Sequence, residues 1–296
     1  MRQFSKWSKR AQATVLAVFG ASALIAVPAS AGVIVDFSGG ATDLTNNFYQ
    51  NQDNTVKTDF KFGATSGVQG GAGLSATGAA LDGTLVYTPT KWTLTDGQTH
   101  TVSAFVTAVS GLAVGDKHLQ IGFLNGANTS FNGENPPNGS FPNIQPQGFI
   151  SARLLGDNEL EFQTKAIGGG TVSSSPRVVP TGTITAGDFL KLTFSATETN
   201  VATGVFDLAF TLEDYGPTGA GVPVTNATGT LSGTSVPTLA NTDLFAGFRT
   251  ATPAGFAGTI GFDNFVTTGN GTPAPEPATL GLLAIGGIAT LARRRR

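Results

Sequence analysis

The stretch Phe206-Asp207-Leu208-Ala209-Phe210-Thr211-Leu212-Glu213 carries an apolar residue at every second position on one phase. Successive side chains of a strand point to opposite faces, so Phe206, Leu208, Phe210 and Leu212 share one face and their neighbours the other. That is the pattern of a strand buried on one side. The same period runs through Leu190, Leu192 and Phe194 against Lys191, Thr193 and Ser195, and through Leu160 and Phe162 against Glu159, Glu161 and Gln163. Shorter runs at 33–37, 58–62, 84–88, 101–109, 118–124, 148–155, 244–250 and 259–267 bring the expected strands to eleven.

Polar turns separate these strands. Leu155-Gly156-Asp157-Asn158-Glu159 reads as a hairpin, with Gly, Asp and Asn supplying the turn. Residues 196–203 read as a second hairpin with Thr199-Asn200 at its tip. Between the two flanks of the chain no stretch has helical amphipathic spacing and no repeat of fixed length occurs, which argues against solenoids of either kind. The expected fold is all-β, an antiparallel two-sheet sandwich of the jelly-roll kind. One such domain over residues 32–271 is expected rather than two, since sandwiches reach this length. The chain has no cysteine, so the domain must be held by its own core or by ions.

The flanks read differently. Arg2, Lys6, Lys9 and Arg10 precede an apolar run from Ala13 to Val27 that closes on Ala29-Ser30-Ala31. This is the order of a secretory signal peptide over residues 1–31, a signal helix handled by the Sec machinery, with Ala29 and Ala31 marking the signal peptidase site. At the other flank Pro275-Glu276-Pro277 is followed by apolar or small residues from Ala278 to Ala292 and by Arg293, Arg294, Arg295 and Arg296. As a short transmembrane helix this run spans roughly 22 Å, less than the roughly 30 Å hydrocarbon core, and the arginines hold its end on the cytoplasmic side.

The order of motif, short helix and arginine cluster over residues 272–296 resembles the PEP-CTERM sorting signal. The resemblance implies recognition by an exosortase in a Gram-negative-type bacterium, transient insertion into the inner membrane, cleavage near the motif, and a final place at the cell surface or in the medium. A permanent tail anchor is the alternative reading. Both flanks are basic: they hold eight of the 17 Lys and Arg residues and only one of the 19 acids, so the domain between them carries about −9 where the whole chain carries −2. Such a surface repels phosphate backbones and argues against nucleic acid as a partner, while it tolerates calcium.

Ile34-Val35-Asp36-Phe37, Phe245-Ala246-Gly247-Phe248 and Ile260-Gly261-Phe262-Asp263-Asn264-Phe265-Val266 resemble the first and last strands of concanavalin-like lectin and glucanase sandwiches. In such sandwiches those strands are often adjacent, so Asp36 and Asp263, with Asn264, are expected to offer oxygen ligands to a structural calcium; no other cofactor is expected. Glu159 and Glu161 place two carboxylates roughly 7 Å apart on one strand face, a separation a glycosidase can use. The glucanase motif has a middle Asp and a final acid that are missing here, and the outer face of a half-solvated strand is the expected setting of both. His100 and His118 lack triad or zinc spacing and read as surface or strand-end residues.

The long connection 125–147, rich in Asn, Gly and Pro, is the candidate binding loop, with Phe131, Glu134 and Phe141 as its distinctive members. Beyond the signal peptide only Trp92, Tyr49, Tyr87 and Tyr215 supply amphipathic rings, a thin stock for a polysaccharide platform. The function expected is an exported, non-enzymatic protein with a structural or matrix role. The alternatives are an extracellular glycan-binding, lectin-like module supported by calcium and bound to polysaccharide, and, last, a glycoside hydrolase.

Overall fold

The computed structural model describes residues 33–40, 42–43, 48–52, 61–63, 67–77, 82–87, 90–93, 95–112, 117–125, 148–168, 171–251, 256, 258–269 and 271–273. The expected signal peptide over 1–31, the loop residues Phe131, Glu134 and Phe141, and the sorting segment from Pro275 onward lie outside the described residues. No helix among the described residues is long and apolar enough to cross a membrane.

Two antiparallel sheets face each other. The eight-stranded sheet follows the path β14 (Val224–Ser235), β13 (Val205–Asp214), β12 (Phe189–Asn200), β7 (Thr99–Thr107), β16 (Thr259–Thr268), β4 (Gly73–Thr77) and β3 (Lys61–Gly63), with β1 (Val33–Val35) also paired to β16. The nine-stranded sheet follows β11 (Val172–Ser174), β10 (Leu160–Lys165), β9 (Phe149–Leu155), β8 (Lys117–Asn125), β15 (Asp243–Ala251), β5 (Asp82–Tyr87) and β2 (Phe48–Gln52). Two short strands extend it, β6 (Thr90–Thr93) on β15 and β17 (Gly271–Pro273) on β6.

The core follows from the period of two. In β12 the buried positions are Leu190, Leu192, Phe194 and Ala196, and in β13 they are Phe206, Leu208, Phe210 and Leu212. Register sets Leu192 opposite Leu212 and Phe194 opposite Phe210. From the facing sheet, Phe162 meets Phe194 and Phe210 with ring centroids 6.4 and 4.8 Å apart, and Phe248 meets Phe262 at 5.5 Å. Fully burying each such side chain contributes about 2 kcal/mol, which makes this two-sheet contact the main source of stability.

Every expected strand has a counterpart, and six further strands are present: β2, β4, β6, β11, β14 and β17. They are short or rich in Thr, Ser and Gly, so they carry no apolar alternation. The hairpin at 155–159 forms as expected, closed by Leu155 N–H to the Glu159 carbonyl at 2.8 Å, with Asn158 in the left-handed region at φ 64°. The second hairpin turns later than expected. Asn200 still pairs with Val205, and the turn occupies 201–204. Its last residue is Gly204, at φ 64°, where a Cβ would lie 2.4 Å from the Val236 carbonyl oxygen.

Candidate functional site

Register across four strands of the nine-stranded sheet assembles a polar row. Glu161 on β10 lies opposite Arg153 on β9, Arg153 opposite Gln120 on β8, and Gln120 opposite Arg249 on β15. The row faces away from the main core, because the alternate residues Phe162, Ala152, Ile121 and Phe248 point into it. Two residues along, Gln163 lies opposite Ser151 and Ser151 opposite Gly122. A Cβ at position 122 would come within 2.2 Å of the Ile150 carbonyl oxygen, so glycine is required where the strands approach. Two residues further, Phe149, Leu124 and Phe245 form an apolar row on the same face, packed with Val86 and Val172.

The polar groups are linked. Gln120 Nε2 donates to Ser151 Oγ at 2.8 Å and to Gln163 Oε1 at 3.3 Å, Ser151 Oγ donates to the Gln163 carbonyl at 3.2 Å, and Gln163 Nε2 donates to Ser174 Oγ at 3.0 Å. Gln120 and Ser151 are fully buried. Gln120 Oε1 and Arg153 Nε are among the buried atoms of the row that have no hydrogen-bond partner. Orphaned groups of this kind cost about 1–3 kcal/mol each. Asn125 and Gly148, the described residues on either side of 126–147, meet beside the apolar row, where Asn125 N–H donates to the Gly148 carbonyl at 2.9 Å.

Of the acid pair, Glu161 does not have the solvated setting expected for it. Glu161 is only 3% exposed, because β10 is covered on both faces. Its carboxylate pairs with Arg153 Nη2 at 2.5 Å and lies 3.6 Å from Arg177 Nε. Glu159 sits in the turn before the strand and pairs with Arg177 Nη1 at 2.9 Å, and Asp157 lies 3.3 Å from the same nitrogen. Both carboxylates of the glycosidase alternative are thus engaged by arginines.

The histidines are not surface residues either. His100 is 1% exposed and His118 is fully buried. His118 Nε2 lies 2.8 Å from the Thr107 carbonyl, and burial pushes its pKa down to about 4. His100 faces the core from β7, its ring 6.2 Å from Phe123, and burial likewise pushes it down to about 4. Diagonal to it on β12 lies Glu198, which sequence reasoning missed; burial, aided by the Asp96 charge, pushes this carboxyl up to about 7. The signal was available, since Glu198 continues the inward phase of Phe194 and Ala196, and His100 precedes Val102 and Ala104 on theirs.

Asp36 and Asp263 are brought together. β1 pairs with β16 through Val35 opposite Phe265, so Asp36 leaves the strand beside Asn264. Asp263 is buried, and its oxygens accept the N–H groups of Val68 and Asn264, each at 2.7 Å. Burial, with the charge of Asp36, nevertheless pushes its carboxyl above the usual range, while hydrogen bonds from Ser38 hold exposed Asp36 below it. Among the described residues no group of three or more His, Cys, Asp and Glu side chains is placed to hold a metal ion. Among the described side chains Trp92 and Tyr87 are buried, and Tyr215 packs edge-on to Phe105 at 5.0 Å.

No curated protein matches the chain in sequence. Among solved structures the chain is similar to peanut lectin with a nine-residue peptide, at 12% identity and a TM-score of 0.46 over 82% of this chain and 99% of that one. It is also similar to basic winged bean lectin with Tn-antigen, at 10% identity and 0.49 over 80% and 98%. A third is a carbohydrate esterase from the Shiga toxin-encoding bacteriophage phi24B, at 11% identity and 0.41 over 80% and 96%. At these values the likeness transfers no activity. Residues 273–296 match the model of the PEP-CTERM protein-sorting motif, so the chain carries the signal by which exosortases recognise their substrates.

Proposed function

We propose that the protein is an exported glycan-binding module, delivered by its sorting signal, in which saccharide is held on the polar-row side of the nine-stranded sheet and enters beside Arg153, the member of that row that is not buried. The observation that carries this reading is the polar row of Glu161, Arg153, Gln120 and Arg249, with Gln120 Oε1 and Arg153 Nε unspent, lying parallel to the apolar row of Phe149, Leu124 and Phe245. A pyranose ring presents the complementary pair of surfaces, a hydroxyl edge that both donates and accepts and a C–H face that packs on apolar side chains. Amide and guanidinium groups fixed on strands lose little freedom on binding. The arginine pairs at Glu159 and Glu161 favour binding over hydrolysis.

Export through the Sec machinery and exosortase cleavage would leave the domain at the cell surface or in the medium, where polysaccharide is the abundant ligand. A structural calcium between Asp36 and Asp263 belongs to the same proposal: the two adjacent carboxylates fit a cation, which would offset their repulsion. A glycan array, followed by titration of polysaccharide purified from the producing culture, tests the binding. Gln120→Leu, which keeps the size but removes the amide, is expected to weaken affinity about tenfold or more. No hit on the array and no uptake of polysaccharide would remove the reading and leave a structural role.

A further inference from the structure

We infer that two copies of this chain join edge to edge through β14, continuing the eight-stranded sheet across a two-fold axis. β14 ends the strand path of that sheet, and among the described residues its outer edge receives only Thr181, whose N–H donates to the Asn226 carbonyl at 2.8 Å. An edge strand presents unpaired N–H and C=O groups, and natural sheets guard such edges with charge, proline or bulges. From Gly216 to Thr242 the sequence has no charged residue, in a domain whose net charge is about −9. Register shifts twist the two ends of β14, between Phe206 and Leu208 and between Leu212 and Glu213 on the partner strand, and leave Ala227 to Leu231 regular and unguarded.

The exposed apolar surface lies at the same edge. Val222, Val224 and Val179 are 90%, 60% and 65% exposed, the large hydrophobics found exposed among the described residues, and Thr181 ties the segment of Val179 to β14.

The pattern is self-complementary, which selects a second copy as the occupant. Ala227, Gly229 and Leu231 lie opposite the inward residues Leu212, Phe210 and Leu208, so they share the core face, while Thr228 and Thr230 are exposed on the other. Antiparallel pairing about Gly229 sets Ala227 opposite Leu231 of the second copy, covering a half-buried leucine. It also sets Thr228 opposite Thr230, a favourable cross-strand pair. The nearest like charges, Asp207 of one copy and Glu213 of the other, both on β13, would face each other across three strand spacings, about 14 Å, beyond the screening length of about 8 Å. No such match is built in for a foreign strand.

Sedimentation of the exported protein tests the pairing and its register together. The wild type is expected to be dimeric. Thr228→Lys with Thr230→Lys sets lysine opposite lysine and is expected to raise the dissociation constant more than about tenfold. Thr228→Lys with Thr230→Glu sets lysine opposite glutamate in the same register and is expected to keep the dimer. A monomeric wild type at concentrations of about 100 µM, a foreign polypeptide bound in place of the second copy, or equal behaviour of the two variants would overturn the inference.

Discussion

Glu198 shows what one misplaced charge does to a core. It is fully buried on the inward face of β12 with neither carboxylate oxygen hydrogen-bonded, and its folded pKa of about 7 stands above the ordinary 4.5. The fold prefers the neutral acid, so its contribution is complete below pH 4.5 and is lost as pH rises to about 7. His100 and His118 run the other way: pushed from 6.5 to about 4, each withdraws stability as pH falls through that interval. Two imidazoles outweigh one carboxyl below pH 6.5, and the carboxyl acts alone above it, so these three groups place their stability maximum at about pH 6.5. Glu198→Gln is expected to melt higher than the wild type at pH 8, by up to about 3 kcal/mol in stability, with the difference vanishing near pH 4.5. Scanning calorimetry at the two pH values decides, and a less stable variant at pH 8 would mean that the carboxylate has a partner in solution. Glu161 teaches a related lesson. Its sequence neighbours Leu160 and Phe162 announce a strand with one polar face, yet whether that face meets water depends on Arg153, brought alongside it by register.

At the scale of the element, the β1–β16 pair was legible and β14 was not. Asp36 and Asp263 sit in apolar surroundings that mark them as strand residues, and β1 does pair with β16 beside them. If the two carboxylates hold calcium, the melting temperature should rise with calcium and fall with chelator. Equal midpoints in the two would sink the calcium site and leave Asp263 as the acceptor that fastens Val68 and Asn264. β14 escaped because Thr225-Asn-Ala-Thr-Gly-Thr-Leu-Ser-Gly-Thr-Ser235 has a single large apolar residue, and a period cannot be seen in one point. It is nonetheless one of the two longest strands, since its hydrogen bonds to β13 need no side chain. The candidate site was hidden for another reason. Gln120, Arg153, Glu161 and Arg249 come from four strands distant in sequence, and only the sheet order β10-β9-β8-β15 puts them in one line.

On the scale of the whole molecule, the domain and its two flanks separate cleanly in charge and composition. The two-sheet sandwich was readable from alternation in β12 and β13, because burial on one face imposes the period directly. The outer side of the nine-stranded sheet was not readable, because both of its faces are covered at the centre and polar residues there look, in sequence, like solvent residues. The sorting motif over residues 273–296 is local and needs no fold to be recognised. In the proposed function this signal delivers the sandwich outside the cell and is then removed. Mass spectrometry of the intact protein recovered from the medium and the cell envelope tests it most directly. The expected product begins at Gly32 and lacks Arg293 to Arg296; exported protein that still carries those four arginines would contradict the account and make the tail a permanent anchor.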